Sequence, residues 1–202
     1  MNRKLFFDLD GTLLDSSERL YRLFCDLIPD CTFSKEQYWQ LKRDKKNHRQ
    51  ILANYFPDYS FDEFNSAWME KIEQPEYLAL DKVYPFTLPF LQDISQRPVY
   101  LLTARQSKKN LEEELHRCRL WDFFKEILVT ENKTTKLALL RAQNPTAQDM
   151  YISDMGKDIL MAKEAGVQTV GVCWGFMSET HLKTYQPDFL CTTIESLRKI
   201  II

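Results

Sequence analysis

A short apolar run followed by two aspartates and a glycine constrains this chain more than any other part of its sequence. Residues 5–7, Leu-Phe-Phe, are too few for a helix and end at a turn signal, so they predict a buried strand. Asp8 and Asp10 then stand at the carboxyl end of that strand, and Gly11 follows where the backbone has to bend sharply. In open α/β sheets this edge binds ligands. The sequence therefore predicts a functional site around Asp8 and Asp10.

Two carboxylates spaced i, i+2 on a strand point the same way and repel each other unless a cation or a proton lies between them. Such a pair suits a hard metal ion and a phosphate group. A plain Asx-type turn is the simpler alternative. The start of a calcium loop is excluded, because Thr12 and Arg19 stand where that loop needs an acidic or amide group and a Glu.

The composition indicates which binding partners and which cellular compartment are to be expected. The chain has 202 residues and a net charge of −2 with mixed signs, which argues against nucleic acid as a partner. It shows neither an apolar signal core at its N-terminus nor an apolar run near the ~20 residues of a membrane span. The five cysteines are dispersed without metal-ligand spacing, as free thiols in a reducing compartment would be. We therefore expect a cytoplasmic protein with no membrane partner.

The region from about residue 16 to residue 80 has the pattern of an all-helical, aromatic-rich block. Residues 16–28 carry apolar side chains at helical spacing. Ser34 with Gln37 predicts a capping box at the start of a further helix, and Ser60 with Glu63 predicts another. Glycine is absent between Thr12 and Met155, so a glycine-rich phosphate loop is excluded there.

Beyond Val83 the pattern alternates between strands and helices, which predicts a parallel, doubly wound α/β sheet. This alternation indicates that the helical block is inserted after the first strand. We expect the block to form a cap over the carboxyl edge of the sheet. The predicted domains are a core of residues 1–15 and 84–202 and a cap of residues 16–83. The predicted strands are 98–102, 127–129, 150–152, 168–172 and a small edge strand at 189–190; the predicted helices are 85–94, one around Leu111 and Leu115, one around 137–140, and one over 159–165 closed by Gly166.

Polar side chains collect where these strands end or the next helices begin. Alone, Thr103 is a candidate helix N-cap, Lys133 or Lys136 a solvated surface group, and Asp154 or Asp158 a helix cap. Together with the first two aspartates they form an acidic cluster that needs a divalent cation. Oxygen ligands without a nearby His or Cys favour Mg²⁺.

At this point the chain resembles the haloacid dehalogenase-like hydrolase superfamily. The resemblance rests on Asp8-Leu9-Asp10-Gly11-Thr12, on Thr103 after an apolar strand, on a lysine, and on Ser153-Asp154-Met155-Gly156-Lys157-Asp158. Residues 165–175 also look like the members related to phosphoglycolate phosphatase. The likeness covers the core, and it implies a Rossmann-like fold with an inserted helical cap.

The resemblance also implies a set of roles. Asp8 would be the nucleophile that forms an aspartyl-phosphate, and Asp10 the general acid and base. The implied Mg²⁺ site is made of Asp8, the main-chain carbonyl of Asp10 and Asp154, with Asp158 orienting the metal's waters. Thr103, Ala104 and Lys136, or alternatively Lys133, would hold the phosphoryl oxygens. The expected reaction is Mg²⁺-dependent hydrolysis of a small phosphorylated metabolite by a monomer or homodimer.

Two departures from the family pattern and several alternatives remain open. Ser153 stands where the family usually has Gly, and neither Lys133 nor Lys136 is followed by the family's Pro. A phosphomutase would keep the same core, whereas a dehalogenase would lack Asp10, and a catalytically silent binding protein would be expected to lose Asp8 or Asp10.

The basic run 42–49 in the predicted cap has two interpretations. It is either a solvated helix face, or a source of cations that bind the non-reacting end of a substrate above Asp8. Arg43 and Lys46 are the two candidates for the second interpretation.

Overall fold

The computed structural model describes residues 3–202. Met1 and Asn2, which belong to the predicted core range 1–15, lie outside the described residues. Within them the chain forms eight strands: β1 Leu5–Phe7, β2 Leu14–Asp15, β3 Lys82–Val83, β4 Val99–Thr103, β5 Glu126–Val129, β6 Met150–Ser153, β7 Gln168–Val172 and β8 Phe189–Cys191. Six of them make one parallel sheet in the order β5-β4-β1-β6-β7-β8, and β2 pairs with β3 as a separate antiparallel ribbon.

Strand β1 occupies an interior position of the sheet, as its uninterrupted apolar sequence requires. Phe6 pairs in register with Tyr100 of β4 on one side and with Tyr151 of β6 on the other. All three residues of β1 are completely buried. A strand covered on both faces has to be apolar at every position, which explains why this run does not alternate.

Helices cover both faces of the sheet. Leu5 and Phe7 pack into one cluster with Phe90 and Leu115, whereas Phe6 points into a second cluster with Leu140. This two-faced packing confirms the predicted doubly wound α/β fold. The helices outside the inserted block, α6 to α11, are Thr87–Asp93, Lys108–Arg117, Lys136–Ala142, Gly156–Glu164, Glu179–Lys183 and Ile194–Ile201; a 3₁₀ turn lies at Trp121–Phe123.

The inserted block is helical throughout, as the sequence predicts. Its helices α1 to α5 are Ser17–Leu27, Lys35–Arg43, His48–Tyr55, Phe61–Lys71 and Pro75–Leu78. They enclose their own aromatic cluster, in which Phe24 contacts Tyr38, Phe56 and Phe64. Strands β2 and β3 are the two chain segments that lead into and out of this block. We infer that the block is a cap unit with a core of its own.

Most element predictions are confirmed, and a few need correction. The capping box at Ser34 is present in full, whereas at Ser60 only the serine side chain caps the helix. The helix predicted from about residue 159 begins three residues earlier, at Gly156. The Oγ of Ser153 accepts the main-chain N–H of Met155, which turns the chain into the helix directly after β6. Helices α10 and α11 were not predicted. No helix in residues 3–202 has the length and apolar character to cross a membrane.

Candidate active site

The loop after β1 is built to receive a carboxylate from β6. Gly11 has a φ of +79°, the left-handed conformation that favours glycine. A Cβ at Gly11 would lie 2.2 Å from Oδ2 of Asp154, and a Cβ at Gly175 would lie equally close to the same atom. The two glycines therefore let two loops close around Asp154 at the carboxyl edge of the sheet.

Asp154 is completely buried between these loops. Its Oδ1 accepts a hydrogen bond from the Thr12 hydroxyl at 3.1 Å, and its Oδ2 accepts the main-chain N–H of Phe176 at 2.6 Å. None of the basic side chains in residues 3–202 pairs with it. Burial, together with the nearby charge of Asp8, raises the pKa of Asp154 well above its ordinary value. Asp154 itself therefore lacks a compensating positive charge.

Lys136 connects the predicted nucleophile to Asp158. Its Nζ lies 2.6 Å from Oδ1 of Asp8 and 2.7 Å from Oδ2 of Asp158. It is the first residue of α8, whose N-cap is Thr135. Lys133 instead lies on the surface, 76% exposed at its side chain and 3.5 Å from Glu131. Of the two lysines left open by the sequence, only Lys136 enters the site.

The surroundings of Asp8 leave its charge only partly balanced. Burial raises the pKa of Asp8 to about 7, although the neighbouring ammonium of Lys136 opposes that rise. A further cation close to Asp8 and Asp154 would favour the ionised forms of both. The two carboxylates of Asp8 and Asp154 supply the oxygen chemistry that Mg²⁺ prefers.

Ser153, the departure from the family pattern, has a structural role. Its Oγ donates to Oδ2 of Asp158 at 3.0 Å, and the hydroxyl of Tyr151 donates to the same oxygen at 3.2 Å. Asp158 therefore accepts hydrogen bonds from two hydroxyls and the ammonium of Lys136. Ser153 keeps its place in β6 while fixing the orientation of Asp158.

Asp10 is held by groups that sequence reasoning missed. Arg105 makes a bidentate contact with it, from Nε to Oδ2 at 2.7 Å and from Nη2 to Oδ1 at 2.9 Å. The guanidinium of Arg19 and the hydroxyl of Ser16 donate to Oδ1 as well. Burial by itself would raise the pKa of Asp10, but the two arginines overcome it and hold that pKa well below its ordinary value.

The same arginines extend into a larger buried charge network. Arg105 also contacts Asp81 at 3.1 Å and Glu114 at 2.9 Å, and Arg19 contacts Asp81 at 3.1 Å. Arg19 lies on the first cap helix and Asp81 immediately before β3, so the network joins both chain connections between cap and core. The Thr-Ala-Arg sequence that begins with the last residue of β4 was the available signal for Arg105, since it lies at the carboxyl edge of the sheet.

Most of the predicted residues line one cavity of about 770 Å³ between the core and the helical block, whereas Asp154 and Lys133 do not line it. Thr103 lies buried at the end of β4 and is not a helix N-cap, because Ser107 caps α7. The core side of the cavity is lined by Asp8, Asp10, Thr103, Ala104, Lys136 and Asp158.

The four aspartates predicted around a metal do not all face one point. The side chain of Asp10 is occupied by arginines and that of Asp158 by Lys136 and two hydroxyls. Accordingly, nowhere in residues 3–202 do three or more Asp, Glu, His or Cys side chains meet as a metal-binding group. Of the other two, Asp8 contacts Lys136 through Oδ1, whereas Asp154 contacts no basic side chain in residues 3–202 and accepts hydrogen bonds from Thr12 and Phe176.

Comparison with known proteins agrees with this geometry. The family model described as haloacid dehalogenase-like hydrolase matches residues 5–172. The chain belongs to this family. Its membership confirms the superfamily and the hydrolase class predicted from the first motif.

Two curated relatives of this haloacid dehalogenase-like hydrolase extend over nearly its whole length. Pyrophosphatase PpaX from Anoxybacillus flavithermus is 23% identical, with 98% of this chain and 95% of that protein covered. Phosphoglycolate phosphatase from Synechococcus elongatus is 22% identical, with 98% and 96% covered. A haloacid dehalogenase-like family hydrolase from Streptococcus pneumoniae has a similar structure, with a TM-score of 0.79, 22% identity and 98% of each chain covered. That structural likeness supports the fold.

Proposed function

We propose that the protein is a Mg²⁺-dependent phosphatase that hydrolyses a small phosphate monoester through an aspartyl-phosphate on Asp8. The observation that carries this proposal is the placement of Asp8. Its carboxylate lies at the carboxyl end of an interior strand, lines the cavity, and has Lys136 Nζ 2.6 Å away. A carboxylate nucleophile beside a fixed cation suits attack on a phosphoryl group, where positioning and charge stabilisation dominate catalysis.

The nucleophilic step joins one carboxylate oxygen of Asp8 to phosphorus while the bond from phosphorus to the ester oxygen breaks. Lys136 would stabilise the phosphoryl oxygens, and Thr103 and Ala104 would line the same position from the end of β4. In the second step a water molecule attacks the phosphorus, the bond to Asp8 breaks, and inorganic phosphate leaves. The carboxylate is thereby regenerated.

Asp10 would handle the protons of both steps. Its arginine and serine contacts favour the ionised form, which can accept a proton from the attacking water. Protonation of the leaving oxygen requires the protonated carboxyl, so before the first step Asp10 would have to separate from the arginines and take up a proton from solvent. The arrangement described here is therefore the resting one in the proposed cycle.

The carboxylates of Asp8 and Asp154 and the main-chain carbonyl of Asp10 would hold Mg²⁺. When bound, the ion would offset the repulsion between these carboxylates and the negatively charged phosphate group. Asp158 would keep Lys136 in place through its 2.7 Å contact and face the metal's water shell. The printed names of two relatives, a pyrophosphatase and a phosphoglycolate phosphatase, support a phosphorylated substrate.

Replacing Asp8 by Asn tests the proposal directly. We expect Asp8→Asn to lose phosphate release from p-nitrophenyl phosphate and from a panel of phosphate monoesters, because an amide cannot accept the phosphoryl group. Wild-type protein quenched with acid during turnover should carry one added phosphoryl mass on the peptide that contains Asp8. Activity should also vanish with a chelator and return with Mg²⁺. Full turnover by the Asn variant, or activity unaffected by chelator, would refute the mechanism.

A further inference from the structure

The helical block supplies positive charge to the cavity, but two basic side chains of the run 42–49, Arg43 and Arg49, do not line it and make other contacts. Arg43 donates hydrogen bonds to the carbonyl oxygens of Gly175 and Cys173, so it links the block to the core rather than reaching the substrate. Arg49 contacts Asp62 and lies over a phenylalanine ring at the surface. Two of the basic side chains in the run 42–49 are therefore structural.

Lys42 is different from these neighbours. It lies in the last turn of α2 and lines the cavity, yet its ammonium makes neither an ion pair nor a hydrogen bond with any side chain or main-chain oxygen in residues 3–202. Burial lowers the pKa of Lys42 to about 8, so the group is still mostly charged at neutral pH while poorly solvated. A partly buried cation without a partner is destabilised until an anion reaches it.

The groups around Lys42 offer no anion of their own. His48 lines the cavity next to it and is neutral, because burial and the charge of Lys42 lower the pKa of His48 to about 2. The ring nitrogen Nε2 of His48 is occupied by the hydroxyl of Tyr38 at 2.9 Å. Glu73 is the acidic residue on this side of the cavity, and both of its oxygens accept main-chain N–H groups at the start of α7, from Gln106 and Ser107.

The cavity thus has two distinct ends. The core end holds the proposed nucleophile Asp8 and Lys136, and the cap end holds Lys42 together with Lys46 and with Lys45, whose ammonium also contacts Thr184 at 2.9 Å. We propose that Lys42 anchors a second anion-binding subsite, which selects phosphate esters carrying a further carboxylate or phosphate group at the end remote from Asp8. This inference rests on the phosphatase activity proposed above.

The subsite would make the enzyme's preference among phosphate esters depend on the charge at the remote end of the substrate and on the length of the substrate. A substrate with a single phosphate leaves Lys42 unpaired, whereas a substrate with a second anion at the right distance forms a charge-assisted hydrogen bond with it. Binding energy gained at this remote point can lower the barrier at the phosphorus. The carboxylate and phosphate versions share this chemistry, and only their size and charge differ.

The test compares three homologous series of alkyl phosphates of increasing chain length. One series ends in a hydroxyl group, one in a carboxylate and one in a second phosphate. With wild-type protein and Mg²⁺, kcat/KM for the best anionic member should exceed that of the hydroxyl member of equal length by roughly ten-fold or more, the size expected for one charge-assisted contact. Preference for the carboxylate or for the phosphate series identifies which anion the subsite takes.

Variants at one helix assign the preference to Lys42. Lys42→Met should reduce the anionic preference to about one while leaving kcat/KM for the hydroxyl series within roughly two-fold, since those esters never use the subsite. Lys42→Arg should restore most of the preference. Lys35→Met is the matched control, because Lys35 lies on the same helix, pairs with Glu18 at 2.9 Å and does not line the cavity. Thermal unfolding of each variant checks that the fold is kept.

The outcomes separate the two proposals. Turnover of all three series with equal kcat/KM at every length would overturn the subsite and leave the phosphatase proposal standing. A preference that survives Lys42→Met would also overturn it. Failure of every ester, charged or neutral, would contradict the phosphatase activity and with it the subsite.

Discussion

The substitution Arg105→Met tests whether the buried charge network beside Asp10 stabilises the whole fold. The side chain of Arg105 is 4% exposed, and its guanidinium lies 2.7 Å from Asp10, 3.1 Å from Asp81 and 2.9 Å from Glu114. Methionine keeps an apolar side chain in this place but removes the charge. Asp10 and Asp81 then keep Arg19 as their buried cationic partner, and Glu114 keeps only the more exposed Arg117.

The magnitude follows from the burial of the network. Removing one partner of a buried ion pair leaves uncompensated charge and costs about 3–5 kcal/mol. For a chain of this size each kcal/mol lowers Tm by about 2–4 °C, so Arg105→Met should lower Tm by roughly 6–20 °C. Urea denaturation gives the free energy of unfolding, and differential scanning calorimetry gives Tm. A phosphatase assay alone would not separate lost stability from lost positioning of the carboxylate.

Arg117→Met is the matched control. Arg117 contacts the same Glu114 at 3.5 Å, but its side chain is 44% exposed, so solvent screens the pair. It also donates to the carbonyl oxygen of Leu78 at 2.8 Å. We expect the control to cost about 1 kcal/mol. Adding Glu114→Gln to the Arg105→Met variant should recover part of the lost free energy of unfolding, because one buried, uncompensated charge fewer remains. Equal losses in the two single variants would refute the reasoning.

Two further predictions use pairs of similar residues. Lys136→Met should lower kcat for phosphate esters by on the order of 10²-fold or more, whereas Lys133→Met should leave it unchanged, because only the first ammonium lies near Asp8; equal effects in steady-state assays would contradict this. His48 stays neutral in the folded protein, its pKa lowered to about 2 by burial and then by the nearby Lys42, whereas the unfolded chain takes up a proton at this residue below about pH 6.5. Lowering the pH below that value should therefore lower the free energy of unfolding, by up to ~1.4 kcal/mol per pH unit. His48→Phe should flatten this slope in urea melts, and a slope unchanged by the substitution would contradict the reasoning.

The sequence by itself determined the framework of the protein and the location of its site. An apolar run too short for a helix predicts the interior strand β1, and Gly11 predicts the turn that follows. Alternating strand and helix patterns imply parallel strands whose carboxyl ends share one edge. Asp8, Thr103 and Asp154 could be assigned to that edge because each directly follows or ends a recognisable strand. These are local sequence patterns, and they can be recognised without knowledge of the packing.

Only the tertiary structure decided which charges meet. Lys133 and Lys136 are three residues apart, and the start of α8 alone directs the second one to Asp8. The contact between Arg105 and Asp10 joins residues 95 positions apart, so no sequence window contains both. Likewise, the basic run of the cap did not reveal that Arg43 would bind main-chain oxygens of the core while Lys42 faced the cavity. These contacts depend on how each helix is rotated about its axis and on how distant segments pack together. Neither can be read from a local stretch of sequence.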